Sequence, residues 1–352
     1  MLSTPRMTPY LDSVAGDETG ALALYEWGAR MSSSAFVVVG HLEILLRNTL
    51  DRCLREHFRE AYCGIPWFLM PNVGGIHVSQ AVDVVRERLR PQGKETRDQV
   101  IAGLSFGFWS GLLGPKYEEL WRSCLHRVFP HGSGRRSQIS SALERVRTFR
   151  NRLAHHDSMI KVDIPFELRH IVQLAGYMST DASQWLMRSQ NEAMAVYGQR
   201  PHVPVDTVVV PAKAAWPLYQ NCRAYVCQAG RAFRVFDRVA FYTDREIKPD
   251  VPGVLHRRDN VEWTHEQAAR LARSDDRYDR KIAKVIATTR SAGWPSGRYQ
   301  VFLLTQPGDS RHRRLPAAIV HKAAGKGSAF VQRQRYVSLH ALETASTTSD
   351  LR

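Results

Sequence analysis

From Trp27 to Cys53 the chain sets an apolar residue at every third or fourth position: Trp27, Met31, Ala35, Val38, Leu42, Leu46, Leu50 and Cys53. That spacing lines one face of a helix roughly thirty residues long, a face that must be covered by other elements. Further helical periods follow. One covers about 78–90 and stops at Pro91. A second starts near Thr96 and carries LSFGFWSGLL, where Gly107, Gly111 and Gly114 interrupt it. The amphipathic KYEELWRSCLHRVF follows and ends at Pro130. After PHGSGRR, residues Ile139, Leu143, Val146, Phe149 and Leu153 turn inward together. A last helix opens around Pro165 and runs on to AVYG. The amino-terminal part therefore reads as a mainly α helical bundle.

Four prolines in residues 198–217 are too many for one helix to cross. A domain boundary is expected there. Beyond it, RAYVCQAG, RVAFYTD, YQVFLLTQ, AAIVHKA and RYVSLHAL have the short period of strands, with one helical stretch at 264–290. The expected organisation is a helical domain over 1–200, a proline-rich linker over 201–217, a small basic α+β or β-barrel-like domain over 218–345, and a tail over 346–352.

Charge separates the same two halves. Residues 211–352 carry 25 Lys+Arg against 13 Asp+Glu, and residues 1–210 carry 24 against 21, within an overall charge of +15. A polyanionic partner, nucleic acid or an anionic surface, is the expectation for the second half, with a merely solubilising basic surface as the alternative. The candidates are Arg257, Arg258, Arg311, Arg313, Arg314, Arg333 and Arg335, in stretches interleaved with Tyr299, Phe330 and Tyr336. The apolar run 35–46 is broken by Gly40, His41 and Glu43, so no membrane span is expected. Scattered Cys53, Cys63, Cys124, Cys222 and Cys227, and a start without a basic, apolar leader, fit a reducing cytoplasm.

The chemistry concentrates in RVRTFRNRLAHHD, residues 145–157. On a helix Arg147, Asn151 and His155 share one stripe with Arg150 beside them, while Val146, Phe149 and Leu153 face the core. A guanidinium, an amide and an imidazole together suit phosphodiester chemistry: the imidazole moves a proton near neutral pH, and the guanidinium stabilises phosphoryl charge without a metal. The alternative is a helix C-terminus that collects Arg and His because they complement its dipole. His156 points about 100 degrees away from His155 on a helix and reads as a supporting or surface residue. Glu43 and Arg47, four apart, read as a helix ion pair, or as groups orienting Arg150 or His155.

Arg150-Asn151-x-x-x-His155 has the R-N-x-x-x-H form of the HEPN superfamily, and RNRLAHHD resembles the motif of its Abi-like, abortive infection branch. ALYEWGARMSSSAF, HLEILLRN with Glu43, Arg47 and Asn48, LSFGFW and KYEELWRSCLHRVFP resemble the same family in the same order. The resemblance covers about 10–195. HHDSM departs from it, since the family more often has a Glu-Pro pair after the histidines; Asp157 can replace the carboxylate. The strand pattern of the second half is loosely similar to PUA-like RNA-binding barrels.

The resemblance implies a metal-independent endoribonuclease of an abortive-infection or toxin-type antiviral system, cleaving RNA at a site shared by two protomers of a homodimer. It implies His155 as acid or base, Arg150 as phosphate binder and Asn151 as orienting amide, with an antitoxin or a phage-derived trigger as further partner. The alternative class is a catalytically silent scaffold or an RNA-binding protein whose activity a partner sets. Neither a metal nor another cofactor is expected: His155 and His156 are adjacent, and Cys222 and Cys227 lack a second ligand pair. AAGKGSAF misses the first glycine of a phosphate-binding loop and reads as a basic turn. The FGFW aromatics read as packing, with Gly107 permitting close approach of helices.

Overall fold

A short helix, α1 (Thr4–Ser13), precedes the long α2 (Glu18–His57). Then come α3 (Glu60–Cys63), α4 (Ile76–Leu89), α5 (Arg97–Gly103), α6 (Phe106–Gly111), α7 (Glu118–Ser123), α8 (Arg136–Ala154), α9 (Ile164–Met178) and α10 (Thr180–Gly198). The computed structural model describes residues 2–14, 16–70, 76–201, 203–322 and 329–351. The basic turn AAGKGS at 323–328 lies outside them.

The chain divides into two units. One comprises Leu24–Met159 and Ile164–Arg200; the other comprises Met1–Ala23, Ile160–Asp163 and Pro201–Arg352. In the helical unit the ladder expected for α2 is its core: Trp27, Met31, Ala35, Val38, Leu42, Leu46 and Leu50 are buried, and Cys53 is half-buried. By length and hydropathy α2 would also suffice to cross a membrane. Its exposed face carries Phe36, Val37 and Ile44, which are 40%, 48% and 45% exposed.

Three expectations about this unit change. The last helix is two, because Ser179 leaves helical geometry (φ −161°) and its hydroxyl accepts from the Ala182 N–H, capping α10. Gly107 is not where helices approach, since a Cβ there would meet only Ser105 Oγ at 3.6 Å. That place is Gly103, whose Cβ would come 2.5 Å from Val85 Cγ1 and 2.9 Å from Arg88 Nη2. KYEELWRSCLHRVF is helical only over α7, and Leu125–Val128 form a tighter 3-10 turn.

The second unit continues with β1 (Thr207–Pro211), α11 (Ala215–Cys222), β2 (Ala224–Gln228), β3 (Arg238–Thr243), β4 (Glu246–Ile247), β5 (Asp250–Val251) and β6 (Val254–Glu262). After α12 (His265–Ala272) and α13 (Arg277–Ser291) come β7 (Arg298–Leu304), β8 (Arg313–Arg314), β9 (Ile319–Val320), β10 (Arg335–Val337) and α14 (Leu339–Thr344). The strands form three sheets, ordered β10-β1-β3-β4-β9, β2-β7-β6 and β5-β8, an α+β arrangement whose sheets do not close into one barrel among the described residues. The helical stretch at 264–290 is broken before α13, whose N-cap Asp276 accepts from the Tyr278 N–H.

The expected linker 201–217 is not one. Val208, Val209 and Val210 are wholly buried in β1, paired parallel to β3 and antiparallel to β10. Val208 and Val210 pack with Tyr219, Phe241 and Phe302, and Val209 packs with Ile319, Leu342 and Leu351. A strand covered on both faces is a continuous apolar run. The expected loose tail is likewise built in: Leu351 is buried, and Thr347 and Asp350 cap each other's turn.

Candidate active site

The motif lies at the end of α8. Ile139, Leu143, Val146, Phe149 and Leu153 are buried, and this fixes the opposite stripe, Arg147, Asn151 and His155, in solvent. Helix geometry stops at Ala154. The His155 N–H still donates to the Asn151 carbonyl at 2.9 Å, the His156 N–H to Leu153 at 3.1 Å and the Asp157 N–H to Arg152 at 2.9 Å. With His156 at φ +54°, these bonds are those of a Schellman cap. His156 thus occupies the left-handed position that glycine usually takes, and its side chain leaves the helical stripe. Asp157 follows it, exposed.

Arg150 is half-buried. Its guanidinium lies 6.0 Å from the Phe36 ring centroid, and its Nε is buried with no acceptor among the described residues. Arg147, by contrast, is engaged by Glu144 through Nε to Oε2 at 2.9 Å and Nη2 to Oε1 at 2.7 Å. The Arg147 guanidinium holds the exposed Glu144 carboxyl below its ordinary range. Beside the stripe of Asn151 and His155, the Arg150 guanidinium makes no hydrogen bond or ion pair among the described residues.

Glu43 and Arg47 make no ion pair with each other among the described residues; Arg47 Nε donates instead to Asn48 Oδ1 at 3.2 Å. Glu43 is seven positions from Phe36, roughly 10 Å along α2. It forms no hydrogen bond to Arg150 or His155 among the described residues. Both Glu43 and Arg47 lie close to the helix face that carries Phe36 and Ile44.

Groups that local pattern did not reveal support α8. Arg145 forms a forked pair with Glu167, at 2.6 and 3.0 Å, and lies 4.2 Å over the Phe166 ring. His170, half-buried on α9, hydrogen-bonds through Nε2 to the Ala142 carbonyl oxygen at 3.2 Å. Burial pushes the His170 imidazole below its ordinary pKa against the pull of that carbonyl, so the ring is neutral and donates. Elsewhere in the unit Arg97 joins two buried carboxylates, Asp51 at 2.7 Å and Glu60, and Asp51 also accepts from Trp67 Nε1 at 2.8 Å.

The basic candidates divide. Arg257 does not belong among nucleic-acid contacts: its side chain is 17% exposed and is held by Asp163 (2.8 and 3.1 Å) and Asp259 (2.8 and 2.9 Å), over the Phe302 ring at 5.2 Å. Burial opposes its charge and the two carboxylates more than offset that, so its pKa is raised. Arg258 pairs with Asp279, and Arg335 lies 4.4 Å over Phe330 while donating to the Leu351 carbonyl. Arg311, Arg313, Arg314 and Arg333 are exposed, Arg311 beside Asp309 and Arg314 beside Asp250. Phe330 and Tyr336 contact Arg335 and Arg234, while Tyr299 packs on Trp263. Among the described residues no three His, Cys, Asp or Glu side chains are placed to hold a metal ion.

Compared with family models, with curated proteins and with solved structures, the chain matches none.

Proposed function

We propose that this chain is a metal-independent endoribonuclease of the Abi-like HEPN type, acting in an abortive-infection or toxin-type defence. One observation carries the reading: Arg150, with a buried Nε that no acceptor engages, lies on the helix whose exposed stripe presents Asn151 and His155. The Arg150 guanidinium hydrogen-bonds to no acceptor among the described residues, and an anionic phosphoryl oxygen is the acceptor that suits a guanidinium.

In this mechanism an imidazole removes the proton of a ribose 2′-hydroxyl, and the 2′-oxygen attacks the adjacent phosphorus. Arg150 stabilises the charge that gathers on the phosphoryl oxygens, and Asn151 orients the phosphate. The P–O5′ bond breaks as a second imidazole protonates the leaving 5′-oxygen, giving 2′,3′-cyclic phosphate and 5′-hydroxyl ends. One chain supplies one such histidine, so the acid and the base come from two protomers. The exposed apolar residues Phe36, Val37 and Ile44 support a homodimer, since Phe36 lies beside Arg150 and a second copy seated on it would come close to the motif. The exposed arginines around β8 supply a positive surface for RNA.

The test is RNA cleavage in EDTA by the wild type and by His155→Ala, with product ends identified. Cleavage by the wild type leaving cyclic phosphates, reduced on the order of 10² to 10⁴ in the variant, is the expected result. Equal cleavage by both overturns it.

The Schellman cap favours one other reading, in which His155 and His156 only terminate α8 and the protein is a catalytically silent scaffold whose RNA binding a partner sets.

A further inference from the structure

The end of α11, strand β7 and helix α13 enclose a cavity of about 310 Å³, within the size range of small-ligand sites. Three cations line it: Arg223, Lys281 and Lys284. Arg223 has a left-handed backbone (φ +52°), fixed by its N–H to the Tyr219 carbonyl at 2.9 Å and by its own carbonyl, which accepts from the Leu304 N–H at 2.8 Å. Its guanidinium is set 5.1 Å from the Tyr219 ring centroid.

The other cations of α13 are occupied. Arg277 lies on Tyr278, Arg280 donates to the Ser274 and Asp275 carbonyls, and Arg290 donates to that of Trp294. Lys281 and Lys284 make neither an ion pair nor a hydrogen bond among the described residues, and Arg223 makes no ion pair among them. The one carboxylate in the wall, Asp309, already accepts from the Arg311 side chain and N–H. Three cations gathered in one concavity with a single engaged carboxylate repel one another, and a dianion relieves that repulsion. The rest of the wall includes apolar side chains, Leu255, Val285 and Leu303, and the amides of Asn221 and Gln306. Inorganic phosphate would leave those apolar side chains unused, whereas a nucleoside would cover them and meet the amides.

We propose that this cavity binds a nucleoside phosphomonoester, with its phosphate on Arg223, Lys281 and Lys284 and its nucleoside against the apolar side chains. The group can be a free mononucleotide or the 5′-phosphorylated end of an RNA. The site does not depend on the ribonuclease reading, because none of its residues belongs to the motif.

The experiment is calorimetric titration of the full chain with the four nucleoside monophosphates, their unphosphorylated nucleosides, inorganic phosphate, and a 2′-O-methyl trinucleotide with or without a 5′-phosphate. The expected result is at least tenfold tighter binding of one monophosphate than of its nucleoside. The variant Lys281→Gln/Lys284→Gln should lose at least tenfold, and the charge-matched Lys213→Gln/Arg273→Gln less than twofold. All four side chains are exposed. Circular dichroism checks that each variant is folded. Tighter binding of the 5′-phosphorylated trinucleotide than of the mononucleotide assigns the RNA end, and the reverse assigns a free nucleotide. Absence of binding at millimolar ligand, equal loss in the two double variants, or inorganic phosphate binding as tightly as the best nucleotide overturns the proposal.

Discussion

His155 and His156 are neighbours in the chain and lie on opposite hands of the backbone, the first at φ −88° as the C-cap of α8 and the second at φ +54°. A side chain in the left-handed region costs about 1 kcal/mol relative to glycine. His156→Gly should therefore stabilise the protein by about 1 kcal/mol in urea denaturation and leave RNA cleavage unchanged. A loss of cleavage as large as that of His155→Ala would transfer the catalytic role to His156.

Arg150→Lys keeps the charge and removes the planar fork and the Nε donor. Cleavage should fall by about 10²-fold in kcat/KM while the urea midpoint does not fall. Wild-type kcat/KM in this variant would show that a point charge is enough, and that the unpartnered Nε is not what binds phosphate.

Ile44→Asp places a carboxylate on the exposed apolar face of α2. Sedimentation velocity at micromolar concentration should report a dimer for the wild type and a monomer for this variant, and cleavage should fall with the dimer. A monomeric variant that still cleaves at the wild-type rate would rule out a site shared between two copies.

Removing Arg97 leaves Asp51 and Glu60 facing each other in a nearly dry site. Arg97→Met should cost about 3–5 kcal/mol, measured by urea unfolding at neutral pH. The triple replacement with Asp51→Asn and Glu60→Gln should recover a large part of it, because the uncompensated charge is then gone.

His170 is neutral in the fold, and its pKa is depressed by burial. Between that lowered value and the ordinary 6.5 the unfolded chain binds a proton that the native chain does not, so this contribution to stability is full above 6.5 and is lost as pH falls below it. Wild type should lose more stability between pH 7.5 and pH 5 than His170→Gln does. Parallel loss in the two proteins would remove His170 as an acid-sensitive group.

Much of the helical unit was legible in the sequence because its signals are local. The ladder from Trp27 to Leu50 and the inward set on α8 each report their own helix, and both are buried as the period required. The division at Ser179 was hidden because the apolar period resumes after the cap. Strand β1 was hidden by its flanks: Pro201, Pro204, Pro211 and Pro217 mark a linker by composition, yet none lies inside the buried run Val208, Val209 and Val210. Of the motif, the exposed stripe could be read from spacing, whereas the left-handed turn at His156 could not, since no glycine marks it. Arg257 looked like part of a basic stretch, and its carboxylate partner Asp163 is 94 positions away, beyond any local pattern.

That separation also sets an order of events during synthesis. Asp163 follows the motif by a few residues, and its guanidinium partner leaves the ribosome only after 94 further residues have been added, about 5–20 s later at ordinary elongation rates. For that interval the segment Ile160–Asp163 has no Arg257 to hold it, although every residue of the motif has already been made. The nascent chain therefore carries its proposed catalytic groups before it can fix the loop that follows them.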